Sequence, residues 1–391
     1  MTRNLVAVAA AEPLHLMHAL RGALDRSGPA VLPLRAGAER SANGLEIGAD
    51  IDLPEAPQAT AVVIQTSGSS GVPKNVSLSC DALLASASAS ESVMGGPGQW
   101  LLALPAHYVA GLQVLVRSLA ADTTPVVLPP GHFDVAAFVA ASRELTGELR
   151  FTSLVPTQLM QLLETRVGVA ALRRFDGILV GGQAVPFAVR DRIELLGLPV
   201  FRTYGSSETA GGCVYSGRAL PGVEIGIVDG QVELTGPMLA DGYLSGDGTI
   251  DRELTDDVFV ERHGQRWYRT GDLGELVDGV LHVLGRADNV IISGGINVNL
   301  DRIERIVRGI RGLEEAVVVG AQHERWGEVP VVVVASDASA RLDQVRDAVG
   351  EALGAPSRPD RIVVIGSIPV LPSGKPDRQA LTRAVATHPE S

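Results

Sequence analysis

Cysteine is scarce: Cys80 and Cys213 are the two thiols in 391 residues. They form no disulfide framework and match no metal-ligand spacing, so both read as packing residues and a reducing cytoplasm is the expected setting. Positive charge is in short supply too, with 33 Lys and Arg against 45 Asp and Glu and a formal net charge of −12. That balance speaks against a nucleic-acid-binding face and leaves any anionic ligand to be met by local cations. Long apolar runs are missing. Met1 to Ala11 is apolar but short, with one arginine and no clear cleavage pattern, and no window reaches the length of a membrane span, so membrane insertion is not expected. Internal repeats and long low-complexity tracts are lacking as well.

What is present fits a globular enzyme, with 46% apolar and 20% charged residues. The chain is too long for one ordinary core and suggests two or three subdomains. Apolar strand-like runs at 126–128, 178–180 and 199–201 alternate with helical stretches at 156–167 and 186–196, which argues for α/β layers. A second regime begins near Arg286. There Leu300, Ile303, Val307 and Ile310 form one helical face after Asn299, and 316–319 and 331–335 look like strands. The expected fold is α/β: a large layered N-terminal domain of mixed sheets and helices over 1–287, followed by a small mobile α+β domain over 288–391.

The densest polar run is Thr66-Ser67-Gly68-Ser69-Ser70-Gly71-Val72-Pro73-Lys74. It hangs between a buried strand expected at 61–65 and an extended piece at 76–79 that leads into a helix at 81–94. Gly68 and Gly71 allow close backbone approach, successive N–H groups can converge as an anion nest, and Lys74 adds one fixed cation, so polyphosphate is the expected ligand. The run is neither the Gly-x4-Gly-Lys-Ser/Thr loop nor the Gly-x-Gly-x-x-Gly dinucleotide turn. Further glycine-punctuated segments follow, each beside a strand-like run: Tyr204-Gly205-Ser206-Ser207-Glu208-Thr209, Tyr268-Arg269-Thr270-Gly271-Asp272-Leu273-Gly274, Gly285-Arg286-Ala287-Asp288 and Pro372-Ser373-Gly374-Lys375, while Gly181-Gly182-Gln183-Ala184 ends the 178–180 strand. Singly, each has a plainer reading as a linker, a turn, an N-cap or a solvated charge.

In this order the segments resemble the acyl-adenylate-forming superfamily of acyl-CoA synthetases, adenylation domains and luciferases, from about residue 61 onward. The resemblance implies an AMP-forming acid ligase using ATP, Mg2+ and coenzyme A. Thr66, Ser67, Gly68, Ser69, Ser70, Gly71 and Lys74 would then hold the β and γ phosphates. Glu208, with the Thr66 hydroxyl, would ligate the metal. Gly181, Gly182, Gln183, Ala184, Thr203, Tyr204, Gly205, Ser206, Ser207 and Thr209 would surround the adenine and α-phosphate, and Asp272 and Arg286 the ribose. Lys375 would bridge carboxylate and α-phosphate as the adenylate forms. Asp288 would be a hinge, and rotation about it would exchange Lys375 for the Ser293-Gly294-Gly295 face, with Gly294 leaving room for a pantetheine arm.

The segment Leu104 to Leu119 puts His107 at an acyl-pocket position with Arg117 ten residues on. Together with Thr152-Ser153-Leu154-Val155-Pro156-Thr157, it resembles the o-succinylbenzoate–CoA ligases of menaquinone synthesis. That resemblance implies a dicarboxylic acid held by His107, Thr157, Gly182 and, at its second carboxylate, Arg117, with the plainer alternative that Arg117 is a helix-surface side chain. A ligase for benzoates or short fatty acids, a module that loads a separate carrier protein, and a non-catalytic binding protein are the competing readings. The sequence leaves oligomeric state open, a homodimer included. Three departures from the common family pattern stand out: a shortened region before Thr66, Asn289 where a second aspartate is frequent, and Gln183 and Ser206 as less usual motif residues.

Overall fold

The computed structural model describes residues 1–35, 53–67, 73–335, 342–371 and 375–387. Gly68, Ser69, Ser70 and Gly71 of the first motif, and Pro372, Ser373 and Gly374 of the last, lie outside the described residues.

A seven-stranded sheet runs in the order Arg218–Ala219, Gly211–Tyr215, Val200–Ser206, Gly177–Val180, Arg150–Leu154, Gln99–Leu102, Val126–Val127. From Val200–Ser206 to the Val126–Val127 edge all neighbours are parallel, whereas Gly211–Tyr215 turns back antiparallel. A five-stranded sheet has the order Gly242–Leu244, Pro73–Ser79, Thr60–Ser67, Ala30–Leu34, Leu5–Ala9. Helices Pro13–Leu24, Cys80–Met94 and Val109–Ala120 contribute to the same core as both sheets, through Leu16, Leu20, Leu83, Leu112 and Leu115 against Val62, Ile64, Phe151 and Val214. A second core covers the large sheet with Val135–Glu144, Pro156–Leu163 and Arg166–Leu172, where Phe138, Leu159 and Leu172 meet Ile178 and Val180. The central strand Gly177–Val180, buried throughout, thus reads as a continuous apolar run.

Local chemistry sets the helix limits. Cys80–Met94 starts where the Ser79 hydroxyl accepts from the Ala82 N–H at 3.1 Å and stops at Gly95 in the left-handed region. The single helix expected at 156–167 is two, because Thr165 caps a new one by accepting from Gly168 N–H at 3.0 Å.

A third, antiparallel sheet joins Glu224–Val228, Gln231–Thr235, Gln265–Val277 and Phe259–Arg262, with Val280–Arg286 added to Gln265–Val277. Two of its turns, Asp229-Gly230 and Asp278-Gly279, have positive φ at both residues, as two-residue hairpins with right-handed strand twist require. It delivers Asp272 and Arg286 as directly opposed residues.

The C-terminal sheet orders Ile296–Asn299, Val290–Ser293, Gly327–Val334, Val317–His323, with Arg361–Val364 parallel to Gly327–Val334. Period-two alternation splits its core in two. Val318, Val332 and Val334 pack on the side of Leu300–Val307 and Leu342–Leu353, while Val317, Val319, Val331 and Val333 pack with Arg378–Ala386. The chain is therefore mixed α/β with a large N-terminal and a small C-terminal part. No helix among the described residues is long and apolar enough to cross a membrane.

Candidate active site

Parallel strands that end at one sheet edge present their following loops together, and that edge is where α/β sheets bind ligands. Gly181 follows Gly177–Val180, Thr157 follows Arg150–Leu154, and Tyr204 lies late in Val200–Ser206. The backbone closes tightly here: a Cβ on Gly181 would sit 2.2 Å from the Thr203 hydroxyl, and one on Gly205 would sit 2.2 Å from the Gly211 carbonyl. Thr157, Gly182, Gln183 and Ala184 are exposed along this rim.

In the neighbouring sheet Thr66 opposes Lys74, and its hydroxyl donates to the Lys74 carbonyl at 3.3 Å. The Lys74 ammonium lies 4.8 Å from the centre of the Tyr243 ring. Tyr243 in turn donates to Glu208 Oε1 at 2.9 Å. A continuous path therefore joins Thr66, Lys74 and Glu208.

Glu208 occupies the short helical turn Ser207–Thr209, whose Thr209 hydroxyl accepts from Ser206 N–H at 2.8 Å and donates to the Gly211 carbonyl at 2.8 Å. Thr209 is fully buried, so its hydroxyl serves the turn. The next residue, Ala210, is in the left-handed region, a conformation that costs a non-glycine residue about 1–2 kcal/mol. Two side chains from the core helices hold it there, Ser86 Oγ and Gln113 Nε2 donating to its carbonyl at 3.0 and 2.8 Å.

The second group centres on Asp272. Its Oδ2 accepts from the Tyr204 hydroxyl at 2.6 Å, and its Oδ1 lies 3.5 Å from Arg286 Nη1. Burial raises the Asp272 carboxyl above the ordinary carboxylate range, against the pull of Tyr204 and Arg286. Arg286 also donates to Thr270 O at 2.8 Å and to both oxygens of Asp288, at 3.1 and 2.9 Å, and Asp288 is the main cause of its raised pKa. Tyr268, on the same strand as Asp272, joins the two groups through Phe259: its ring is 5.2 Å from that of Phe259, which in turn lies 6.4 Å from the Tyr243 ring. Burial foremost, then the negative charges of Glu208 and Asp272, push its hydroxyl pKa up, with Arg286 opposing. The Thr66–Lys74 hairpin, Glu208 and Asp272 thus share one region of the molecule.

His107 stands just before Val109–Ala120, its ring 4.2 Å from that of Tyr108. Burial, with a contribution from the Arg35 charge, lowers its pKa to about 4, leaving a neutral imidazole at pH 7. Arg35 is exposed just after Ala30–Leu34, which pairs parallel with Thr60–Ser67 at Val31 and Val62. Arg117 is elsewhere. It is 2% exposed, its guanidinium 5.1 Å from the Trp100 ring and donating to Ser90 Oγ at 3.2 Å. Eight residues of helical rise from Val109, roughly 12 Å, carry it toward the helix end away from His107. Arg117 is thus a core cation rather than a helix-surface side chain, and its charge acts on the half-buried Glu91 carboxyl.

In the C-terminal part Lys375 is exposed on the loop before Arg378–Ala386, its carbonyl accepting from Leu371 N–H at 2.8 Å. Among the described residues it takes no part in the network around Glu208 and Asp272. The helix Leu300–Val307 meets the N-terminal part instead: Asp301 accepts from Arg286 N–H at 2.8 Å, and Arg305 donates to Val283 O at 2.9 Å. Asp288 lies in the turn Ala287–Asn289. Asn289 Nδ2 donates to Asp301 Oδ1 at 2.6 Å, so an aspartate at 289 would set two carboxylates against each other. Gly294 closes the Val290–Asn299 hairpin with φ +57, and a Cβ there would approach the Trp326 ring to 3.1 Å. Trp326 is 47% exposed.

The donor set fits magnesium travelling with a nucleotide. Glu208 and Thr66 supply hard oxygens, and no group of three or more His, Cys, Asp or Glu that could cage an ion exists among the described residues. A cation held by one carboxylate and substrate phosphates needs no such cage. Tyr243, Arg35 and Trp326 escape motif reading: Tyr243 sits in a short apolar strand, and the other two in runs without a repeating pattern.

The chain matches the family model of the AMP-binding enzymes over residues 6–244 and that of the AMP-binding enzyme C-terminal domain over 302–375. It is 37% identical over 95% of both chains to a Mycobacterium tuberculosis protein named "Probable 2-succinylbenzoate–CoA ligase". Identity is 30% to the 2-succinylbenzoate–CoA ligase of Enterococcus faecalis, over 83% of this chain and 70% of that one. The structure superposes on o-succinylbenzoate CoA synthetase from Bacillus subtilis in complex with its acyl-adenylate intermediate, with a TM-score of 0.72, 26% identity, and 93% of this chain and 80% of that one covered. Motif order, fold and likeness agree that the chain belongs to the AMP-binding enzyme family.

Proposed function

We propose that this protein is an AMP-forming ligase that activates o-succinylbenzoate with ATP and transfers the acyl group to coenzyme A, a step of menaquinone synthesis, in the cytoplasm. The observation that carries the reading is the path from Thr66 and Lys74 through Tyr243 to Glu208, adjoining the Tyr204–Asp272–Arg286 group at Tyr268. Thr66, Lys74 and the Gly/Ser run between them hold the β and γ phosphates. Glu208 and Thr66 would hold Mg2+, which would supply neutralisation of the phosphate charge. Tyr204 and the Gly181–Ala184 loop face the adenine, and Asp272 and Arg286 the ribose hydroxyls.

A carboxylate oxygen of the acid then attacks the α-phosphorus, and the bond from that phosphorus to the bridging oxygen breaks as pyrophosphate leaves. Lys375 screens the two reacting anions from one another at that step. In the second half-reaction the thiol sulfur of coenzyme A attacks the acyl carbonyl carbon, AMP departs with the anhydride oxygen, and the thiol proton passes to solvent. The small domain, 288–391, turns about Asp288 between the steps, trading Lys375 for the Gly294 hairpin, with Trp326 beside the pantetheine path.

The second carboxylate of the acid faces His107, Thr157 and Gly182. A neutral His107 donates a hydrogen bond without pairing permanently with a carboxylate elsewhere. The test is acid-dependent AMP release with free coenzyme A over a panel of acids. Selective turnover of o-succinylbenzoate is expected, and equal turnover of plain benzoate would overturn the substrate assignment.

A further inference from the structure

The segment 240–243 meets Glu208 twice. Ala240 N–H donates to the Glu208 carbonyl at 2.8 Å, and the Tyr243 hydroxyl donates to Glu208 Oε1 at 2.9 Å. The same segment is fixed to the strand Pro73–Ser79, which begins beside the phosphate loop. Tyr243 opposes Val76 and Leu244 opposes Asn75 in register, Asp241 N–H donates to Ser77 O at 2.9 Å, and Ser77 Oγ donates to Asp241 Oδ2 at 3.3 Å. From outside, Arg266 braces it, donating to Ala240 O at 2.5 Å and Asp241 O at 2.9 Å while lying 4.0 Å from the Phe259 ring centre. Tyr243 itself is 2% exposed, its ring 6.4 Å from that of Phe259.

A phenol buried this deeply hydrogen-bonds to a partner, and here the partner is one carboxylate oxygen of Glu208. A cation bound by one carboxylate depends on how that carboxylate is aimed, because a freely rotating Glu loses rotamer entropy on each binding event. With Oε1 held by Tyr243, Oε2 remains as the oxygen to offer. The Lys74 ammonium, 4.8 Å from the ring centre of the same tyrosine, is steadied by the ring face. One side chain therefore sets both charged arms of the site, the positive one through its ring and the negative one through its hydroxyl.

We infer that Tyr243 is a positioning residue for metal–nucleotide binding: its hydroxyl aims Glu208 at the cation and its ring aims Lys74 at the phosphates. The inference rests on the proposed role of Glu208 as metal ligand. The two functions of Tyr243 separate by substitution. Tyr243→Phe removes the hydroxyl and keeps the ring, whereas Tyr243→Leu removes both.

The test is a titration of Mn2+ by electron paramagnetic resonance in the presence of a non-hydrolysable ATP analogue, with nucleotide affinity measured calorimetrically in EDTA alongside. Tyr243→Phe is expected to weaken Mn2+ binding about 10-fold, the scale of losing an outer partner of a metal ligand, with metal-free nucleotide affinity unchanged. Tyr243→Leu is expected to lower both. Unchanged Mn2+ affinity in Tyr243→Phe, with wild-type Mn2+ binding abolished by Glu208→Gln, would overturn the inference and leave the reading of Glu208 standing. Mn2+ binding insensitive to Glu208→Gln would instead reject that reading. Circular dichroism melting of both Tyr243 variants separates loss of binding from loss of fold.

Discussion

Replacing Asp272 by Asn tests the ribose assignment at nearly constant shape. Asp272 accepts from the Tyr204 hydroxyl at 2.6 Å and faces Arg286 at 3.5 Å, and an Asn can keep the first contact through its carbonyl oxygen. Arg286 keeps its two bonds to Asp288, so the substitution does not strand a cation. What changes is the ligand side. Two ribose hydroxyls that would donate to a carboxylate are left with a neutral acceptor and an amide. Hydrogen bonds to a charged group contribute about 1.5–3 kcal/mol against about 0.5–1.5 for neutral pairs, so the loss is about 1 kcal/mol per hydroxyl and about 2 in all. That corresponds to roughly 30-fold weaker AMP binding by calorimetry. The control is 2′,3′-dideoxy-AMP, which has neither hydroxyl, so wild type and variant are expected to bind it within about 0.5 kcal/mol of each other. An equal loss for both ligands would refute the reasoning, because Asp272 would then act through Tyr204 and Arg286 rather than on the sugar.

Lys375→Ala is expected to abolish adenylate formation, read by pyrophosphate exchange, while thioester formation from supplied acyl-adenylate persists; equal loss of both steps would reject its role. His107 has a folded pKa of about 4 against an ordinary 6.5, so the unfolded chain takes up a proton that the folded one excludes between those values. Stability therefore falls as pH drops from 6.5 to 4, by on the order of 1 kcal/mol after solvent screening, and His107→Gln should flatten the dependence of Tm on pH across that window. Glu233 is buried between Arg262 and Arg269, with Arg262 Nη2 donating to Oε1 at 2.8 Å. Both arginines reach solvent, so Glu233→Gln should cost about 2 kcal/mol in urea unfolding, below the range for fully buried pairs; a change under about 0.5 would show that solvent already screens the pair.

Much of the architecture was legible because periodicity and turn chemistry agree with the packing. The run 61–65 became Thr60–Ser67, 81–94 became Cys80–Met94, and the face of Leu300, Ile303 and Val307 is buried in the C-terminal core. The single helix expected over 156–167 failed because a threonine can cap as readily as it can continue a helix, and Thr165 does the former. The antiparallel sheet carrying Asp272 and Arg286 was signalled by Asp229-Gly230 and Asp278-Gly279, turn pairs left unread beside the stronger polar motifs. Within the site, motif residues were legible as types but their contacts were not. Thr209 looks like a ligand hydroxyl until its turn bonds are seen, and Arg117 looks like a pocket cation until its burial against Trp100 is seen. Tyr243 owes its place to strand register, which spacing along one chain does not encode.

Arg286 divides a single guanidinium between Asp272 on the strand and Asp288 in the turn that leads to the small domain. Any change of backbone angle across 287–289 draws on that division: as Asp288 moves off, more of the cation's field falls on Asp272, and as it returns, less. Under the proposed roles of Asp272 and Asp288, sugar grip and interdomain angle would be tied at one side chain, so that nucleotide occupancy would bias the turn and the turn would bias nucleotide release.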